Sequence, residues 1–98
     1  MAVTLCVLLW PHAGNEDALV AYEDTVLALI PAHGGRVIQR ARITSDARGA
    51  DEPLEVQLIE FPSEVTLEAY LADDRRTALA DGRHVAIARA EILRVDLV

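Results

Sequence analysis

Four stretches of the chain carry the apolar or alternating pattern of strands, and two carry apolar residues at helical spacing. Val3 to Trp10 is a continuous apolar run closed by Pro11, the pattern of a buried central strand. Asn15 is placed to cap a helix whose first turn holds Glu16 and Asp17, where the helix dipole favours acids. Leu19, Tyr22, Val26, Leu29 and Ile30 recur at steps of three and four, so this helix has one apolar stripe. Pro31 weakens its last turn and Gly34–Gly35 stop it. Arg36 to Thr44 reads as a second strand, Ser45 to Pro53 as a polar connection, and Leu54 to Phe61 as a third strand ended by Pro62. Ser63 can cap a second helix carrying Val65, Leu67, Tyr70 and Leu71, and Asp74 a shorter one over Arg75 to Ala80. Arg83 to Arg89 fits one helical turn, and Ala90 to Leu97 reads as the last strand.

The order β-α-β-β-α-β predicts an α+β, ferredoxin-like fold over residues 1–98: a four-stranded antiparallel sheet with its helices on one face, in a single domain. Period two divides each strand between the two faces. One set holds Val3, Leu5, Val7 and Leu9 with Val37, Ala41 and Ile43, then Leu54, Val56 and Leu58, then Leu93, Val95 and Leu97; being almost wholly apolar, it is assigned to the core. The other set holds Leu8, Trp10, Ile59, Phe61 and Ile92 together with Arg40, Arg42, Glu55, Arg94 and Asp96. An open sheet face should be mainly polar, so this apolar patch calls for a cover. A second copy packed sheet against sheet gives a homodimer, in which Ile59→Glu is expected to divide the subunits.

Charge and cysteine usage narrow the partners. All nine basic residues are arginines, against sixteen Asp and Glu, for a net charge of −7. That balance disfavours nucleic acid and anionic membrane surfaces. No run approaches the ~18 apolar residues of a membrane span. Cys6 alone cannot form an internal disulfide or a CxxC pair, which points to the cytoplasm. His12, His33 and His84 have no metal-ligand spacing, and no glycine fingerprint for a nucleotide occurs, so no metal and no cofactor are expected.

Among candidate chemical groups, Arg40 matters most. A mid-strand arginine must be paired, and its planar fork suits a carboxylate or enolate. Its expected partners are Glu55 or Asp96, or else a ligand, with Trp10 as the wall of a site and Tyr22 reaching it from the first helix if the cleft opens there. Glu60 and Ser63 invite a catalytic reading, although Ser63 after Pro62 is more simply a helix cap.

Tyr22, the run His33-Gly34-Gly35-Arg36, Arg40, the run Glu60-Phe61-Pro62-Ser63, Asp74-Arg75-Arg76 and Arg83 together resemble the dimeric α+β barrel superfamily. Within it the chain is similar to a bacterial family of small proteins of unknown function related to the antibiotic-biosynthesis monooxygenases. The resemblance implies the ferredoxin-like fold and dimerisation. Three functions then compete: a protein that binds a small organic ligand through Trp10, Tyr22 and Arg40; a cofactor-independent monooxygenase or isomerase on an aromatic or polyketide-like substrate, with His33 and Glu60 as candidate catalytic residues; and a structural or interaction module.

Overall fold

The computed structural model describes residues 1–44, 48–49 and 51–98, so part of the expected connection after Thr44 lies outside the described residues. Strand β1 (Val3–Pro11) leads into helix α1 (Glu16–Leu27) and a 3₁₀ turn (Ile30–His33). Strands β2 (Arg36–Arg42) and β3 (Glu55–Phe61) follow, then helices α2 (Glu64–Leu71), α3 (Asp74–Thr77) and α4 (Ala80–Ala86), and finally β4 (Ile87–Arg94). The strands lie in the order β2-β3-β1-β4, and every neighbouring pair is antiparallel. This is the ferredoxin-like arrangement, with β1 and β3 central and the helices over one face.

Local chemistry fixes the element ends. Ser63 and Thr66 form a reciprocal capping box at the start of α2, each satisfying the other's backbone N–H. Asp73, rather than the expected Asp74, caps α3 by accepting from the Arg75 backbone N–H at 2.8 Å. Asn15 starts α1 without capping it; its amide instead donates to the Val85 carbonyl at 2.7 Å and ties α1 to α4. Gly34 ends the 3₁₀ turn at φ +74°, the left-handed region that favours glycine. Gly35 is needed for a different reason. A Cβ there would lie 2.8 Å from Ile30 and 2.9 Å from the Glu60 carbonyl.

The register corrects the expected division of faces. Leu5 pairs with Ile59, Val7 with Gln57 and Leu9 with Glu55, so Glu55, Gln57, Ile59 and Phe61 lie under the helices. Ile59 and Phe61 are core residues at 5% and 1% exposure, not parts of an open patch. On β2 the register shifts between Val37 and Gln39, so Val37 faces Ile59 while Arg40 and Arg42 face Gln57 and Glu55 on the same side. Strand β4 begins at Ile87, three residues before the expected start, and sets Ile92 opposite Val7 on the helix side. Val56 and Leu58 therefore occupy the open face beside Cys6, Leu8, Trp10, Ala41 and Leu93.

The helix-side core joins Leu5, Val7 and Leu9 to Leu19, Val26 and Leu27 of α1, Ile30, and Leu67 and Tyr70 of α2. Each fully buried aliphatic side chain contributes roughly 1.5–3 kcal/mol relative to exposure. Ile59→Glu should accordingly abolish folding, since it places an unpaired charge in this core at a cost of several kcal/mol. Loss of the far-UV helical signal checks this, whereas a folded monomer would contradict the observed phase of β3.

Candidate functional site

Two features meet between the helices and the sheet: a polar network on the β2–β3 half and a cavity on the remaining half. Adjacent residues of α1 supply the network's upper side. Glu23 falls on the buried stripe, four residues after Leu19 and four before Leu27, and is only 5% exposed. It accepts a hydrogen bond from Gln57 Nε2 at 2.7 Å, and the same amide nitrogen donates to Glu55. Arg40 grips Glu55 with two donors, Nε at 2.9 Å and Nη2 at 3.0 Å, while Arg42 Nε adds a third contact at 2.9 Å. Nη1 of Arg40 returns to α1 through Asp24 at 2.8 Å. The circuit Glu23–Gln57–Glu55–Arg40–Asp24 thus clamps α1 onto the sheet.

The two glutamates titrate in opposite directions. Burial raises Glu23, and the Gln57 hydrogen bond only partly offsets it. Burial would raise Glu55 too, but the hydrogen bonds from Arg40, Gln57 and Arg42 outweigh it and hold the carboxyl below its ordinary value.

The cavity has a volume of about 70 Å³ and an apolar floor built from β3, β1 and β4, with Ile59, Leu5 and Ile87 among its lining. Helices α1 and α2 roof it with Tyr22, Leu27 and Tyr70, and its polar groups are Glu23, Gln57, Arg76 and Arg83. The guanidinium of Arg76 lies 5.2 Å from the centre of the Tyr70 ring, within cation–π range. Burial raises the hydroxyl pKa of both Tyr22 and Tyr70, with Arg76 the main opposing influence, so both present neutral O–H groups at neutral pH. A shallower groove between α1 and α4, about 580 Å³, is lined mainly by small apolar residues with Asp81 as its one carboxylate. It lacks the convergent polar groups that orient a ligand.

The residues singled out from sequence are dispersed. Tyr22 lines the cavity. Arg40 lies outside it, held by Glu55 and Asp24. Trp10 lies on the open sheet face, where Arg89 stacks at 4.3 Å and the indole N–H donates to the Asp51 carbonyl at 3.2 Å. His33 stands 2.8 Å from Asp73, and its ring meets Tyr70 edge-on at 6.0 Å, so it adjoins the cavity wall without lining it. Asp73 is held well below the usual carboxylate range by Arg75 and His33, and being ionised it accepts the imidazole Nε2–H. Glu60 pairs with Arg36 at 3.1 Å on the open side. The charged group that sequence placed on the open face is instead split: Arg40, Arg42 and Glu55 are joined under the helices, and Arg94 pairs with Glu64.

Sequence reasoning missed Glu23, Gln57, Arg76 and Arg83 as site residues. The available signal for Glu23 was a carboxylate inside the apolar stripe of α1. Among the described residues, no three His, Cys, Asp or Glu side chains form a metal-binding group, and no helix is long and apolar enough to cross a membrane.

A family model described as a domain of unknown function, DUF1330, matches residues 7–96. No curated protein matches the sequence. Among solved structures, a protein of unknown function from Rhodopseudomonas palustris is 14% identical at a TM-score of 0.78, over 99% of this chain and 82% of that one. A candidate antibiotic biosynthesis monooxygenase from Caulobacter crescentus is 17% identical at 0.77, over 99% and 90%. A dimeric ferredoxin-like protein of unknown function from Jannaschia is 12% identical at 0.71, over 99% and 100%. At these identities the likeness is one of fold.

The opposed titrations give a signed expectation. Glu23 has a folded pKa above its unfolded value, so its stabilising contribution is complete below about 4.5 and lost as pH rises through the raised value. Glu55 behaves inversely: its contribution is present above about 4.5 and lost as pH falls through the lowered value. Glu23→Gln removes the first titration alone, so this variant should gain stability relative to the parent as pH rises from about 4.5 through the raised value. Urea unfolding across that interval measures it, and a relative loss would contradict the assignment.

Proposed function

The chain belongs to the DUF1330 family, and from that premise we propose that it acts as a homodimer whose subunits each bind a small organic ligand in the cavity between helices and sheet. Residues 1–98 serve as one ferredoxin-like unit, and the reading assigns the protein to the cytoplasm. The cavity is the observation that carries the ligand. It combines an apolar floor with a few convergent polar groups, Tyr22, Tyr70, Glu23, Gln57 and Arg76, the composition that small-molecule sites use. Of the residues proposed from sequence, Tyr22 keeps a direct role as part of the roof. Arg40 acts at one remove, because its ion pair with Glu55 positions Gln57 and through it Glu23.

The dimer is supported by the open sheet face. Leu8, Val56, Leu58 and the half-exposed Leu93 form an apolar field there. Two ion pairs frame it, Arg36–Glu60 and Arg89–Glu91. Trp10 belongs to this surface and is read as an interface residue. The related fold from Jannaschia, described as dimeric, agrees with this arrangement.

The enzyme reading, a cofactor-independent isomerase or monooxygenase, is favoured by one observation. Glu23 is a buried carboxylate at the cavity wall, and burial raises its pKa above the ordinary carboxylate value, as a proton-transfer group requires.

Two measurements test the proposal. Light scattering should give a particle of twice 10.7 kDa, and Leu58→Glu should yield a folded monomer because it buries a charge between the sheets at a cost of several kcal/mol. For the cavity, a fragment screen read by methyl chemical shifts of Leu5, Ile59 and Ile87 should find binders. Ala90→Phe, which fills the β4 side of the floor, should weaken them by tenfold or more (about 1.4 kcal/mol). A monomeric parent sinks the first half, and shifts unaffected by Ala90→Phe sink the second.

A further inference from the structure

In a chain with a net charge of −7, most arginines are accounted for by carboxylates. Arg36 pairs with Glu60, Arg40 and Arg42 with Glu55, and Arg48 with Glu16. Arg75 pairs with Asp73, Arg89 with Glu91 and Arg94 with Glu64. Among the described residues, only Arg76 and Arg83 have no ion-pair partner, and both line the same cavity. Arg76 is the more telling of the two. Its Nε–H is buried with no hydrogen-bond partner, although such a group ordinarily costs about 1–3 kcal/mol to leave unmade. With acids in excess by sixteen to nine, two arginines without a carboxylate partner stand at one cavity, and one of them keeps a buried donor open.

At the same cavity Glu23 uses one carboxyl oxygen to accept from Gln57. No donor among the described residues meets its other oxygen. The site thus offers a cationic pole at Arg76 and Arg83 and a separate hydrogen-bonding pole at Glu23. A space of about 70 Å³ holds roughly two to three waters, so the part of a ligand seated inside is short.

We propose that the ligand of this cavity is a compact organic carboxylate bearing a hydroxyl group, a hydroxy acid, with its carboxylate on Arg76 and Arg83 and its hydroxyl donating to the open oxygen of Glu23. The inference rests on the ligand-binding reading and adds the ligand's chemistry. Arg76 completes a charge-assisted hydrogen bond through the Nε–H that the protein leaves open, and such bonds are about twice as strong as neutral ones. The stack on Tyr70 holds the guanidinium plane in place for it. The chain's overall negative charge repels anions at long range, so recognition depends on these two side chains at short range.

The probes are L-lactate and glycolate, each against its neutral amide, lactamide and glycolamide. They are titrated into the intact protein and followed by the methyl shifts of Leu5, Ile59 and Ile87. Each acid should bind about ten- to a hundredfold more tightly than its amide. Arg76→Met should remove most of that preference with an unchanged far-UV spectrum, Arg76→Lys should restore part of it, and adding Arg83→Met should remove the remainder. Glu23→Gln should weaken both members of a pair alike, since it touches the shared oxygen. If acid and amide bind equally, or Arg76→Met keeps the preference, the anion assignment is overturned while the cavity reading stands, because the shifts still report occupancy. If none of the four probes moves the methyls, this ligand class is overturned, and the fragment screen alone then decides the cavity.

Discussion

Everything on the helix side of the sheet is arranged around one buried carboxylate. Glu55 has no exposed surface, yet it sits at the first position of β3 beneath α1. An ionised carboxylate there is tolerable only because Arg40, Arg42 and Gln57 all donate to it. The requirement propagates. Arg40 and Arg42 must face the helices, which the register shift after Val37 allows. Gln57 must share the same side, which commits Ile59 and Phe61 to the core by period two. Asp24 and Glu23 must sit over the pair, which fixes the rotation of α1 about its axis.

The cavity follows from that clamp. The network anchors α1 over β2 and β3, and the remaining space under the helices lies over β3, β1 and β4. The short helices α3 and α4 enter it from above with Arg76 and Arg83. His33, through Asp73, pins the turn that launches α3, and Tyr70 packs between His33 and Phe61 at 6.0 and 5.3 Å. Site and scaffold thus share residues. Gln57 serves both, being a network donor on one side and cavity lining on the other.

Much of the fold was readable from the pattern of residues. The element order, the capping box at Ser63 and the turn at Gly34–Gly35 rest on local rules that operate in any context. The faces of β3 were not readable, because both of its parities carry apolar residues: Val56 and Leu58 on one, Ile59 and Phe61 on the other. The core parity is the one that looks more polar, since Glu55 and Gln57 belong to it. Their burial depends on Arg40, Arg42 and Glu23, partners distant in sequence that no local pattern reveals. The register shift in β2 inverted the faces again between Val37 and Arg40. The site residues escaped for the same reason. Tyr22 could be named because it stands on an amphipathic stripe, whereas Arg76 and Arg83 gain their meaning only by lacking the partners that the other arginines have.

The helix-side half of the molecule therefore depends on the Glu55 network. A double-mutant cycle on Glu55→Ala and Arg40→Ala, with stability measured by urea unfolding, addresses it most directly. The predicted coupling is about 1.5–3 kcal/mol, with Glu55→Ala alone leaving Arg40 and Arg42 without their shared partner and costing at least as much. A coupling below about 0.5 kcal/mol, the size found for exposed pairs, would contradict it.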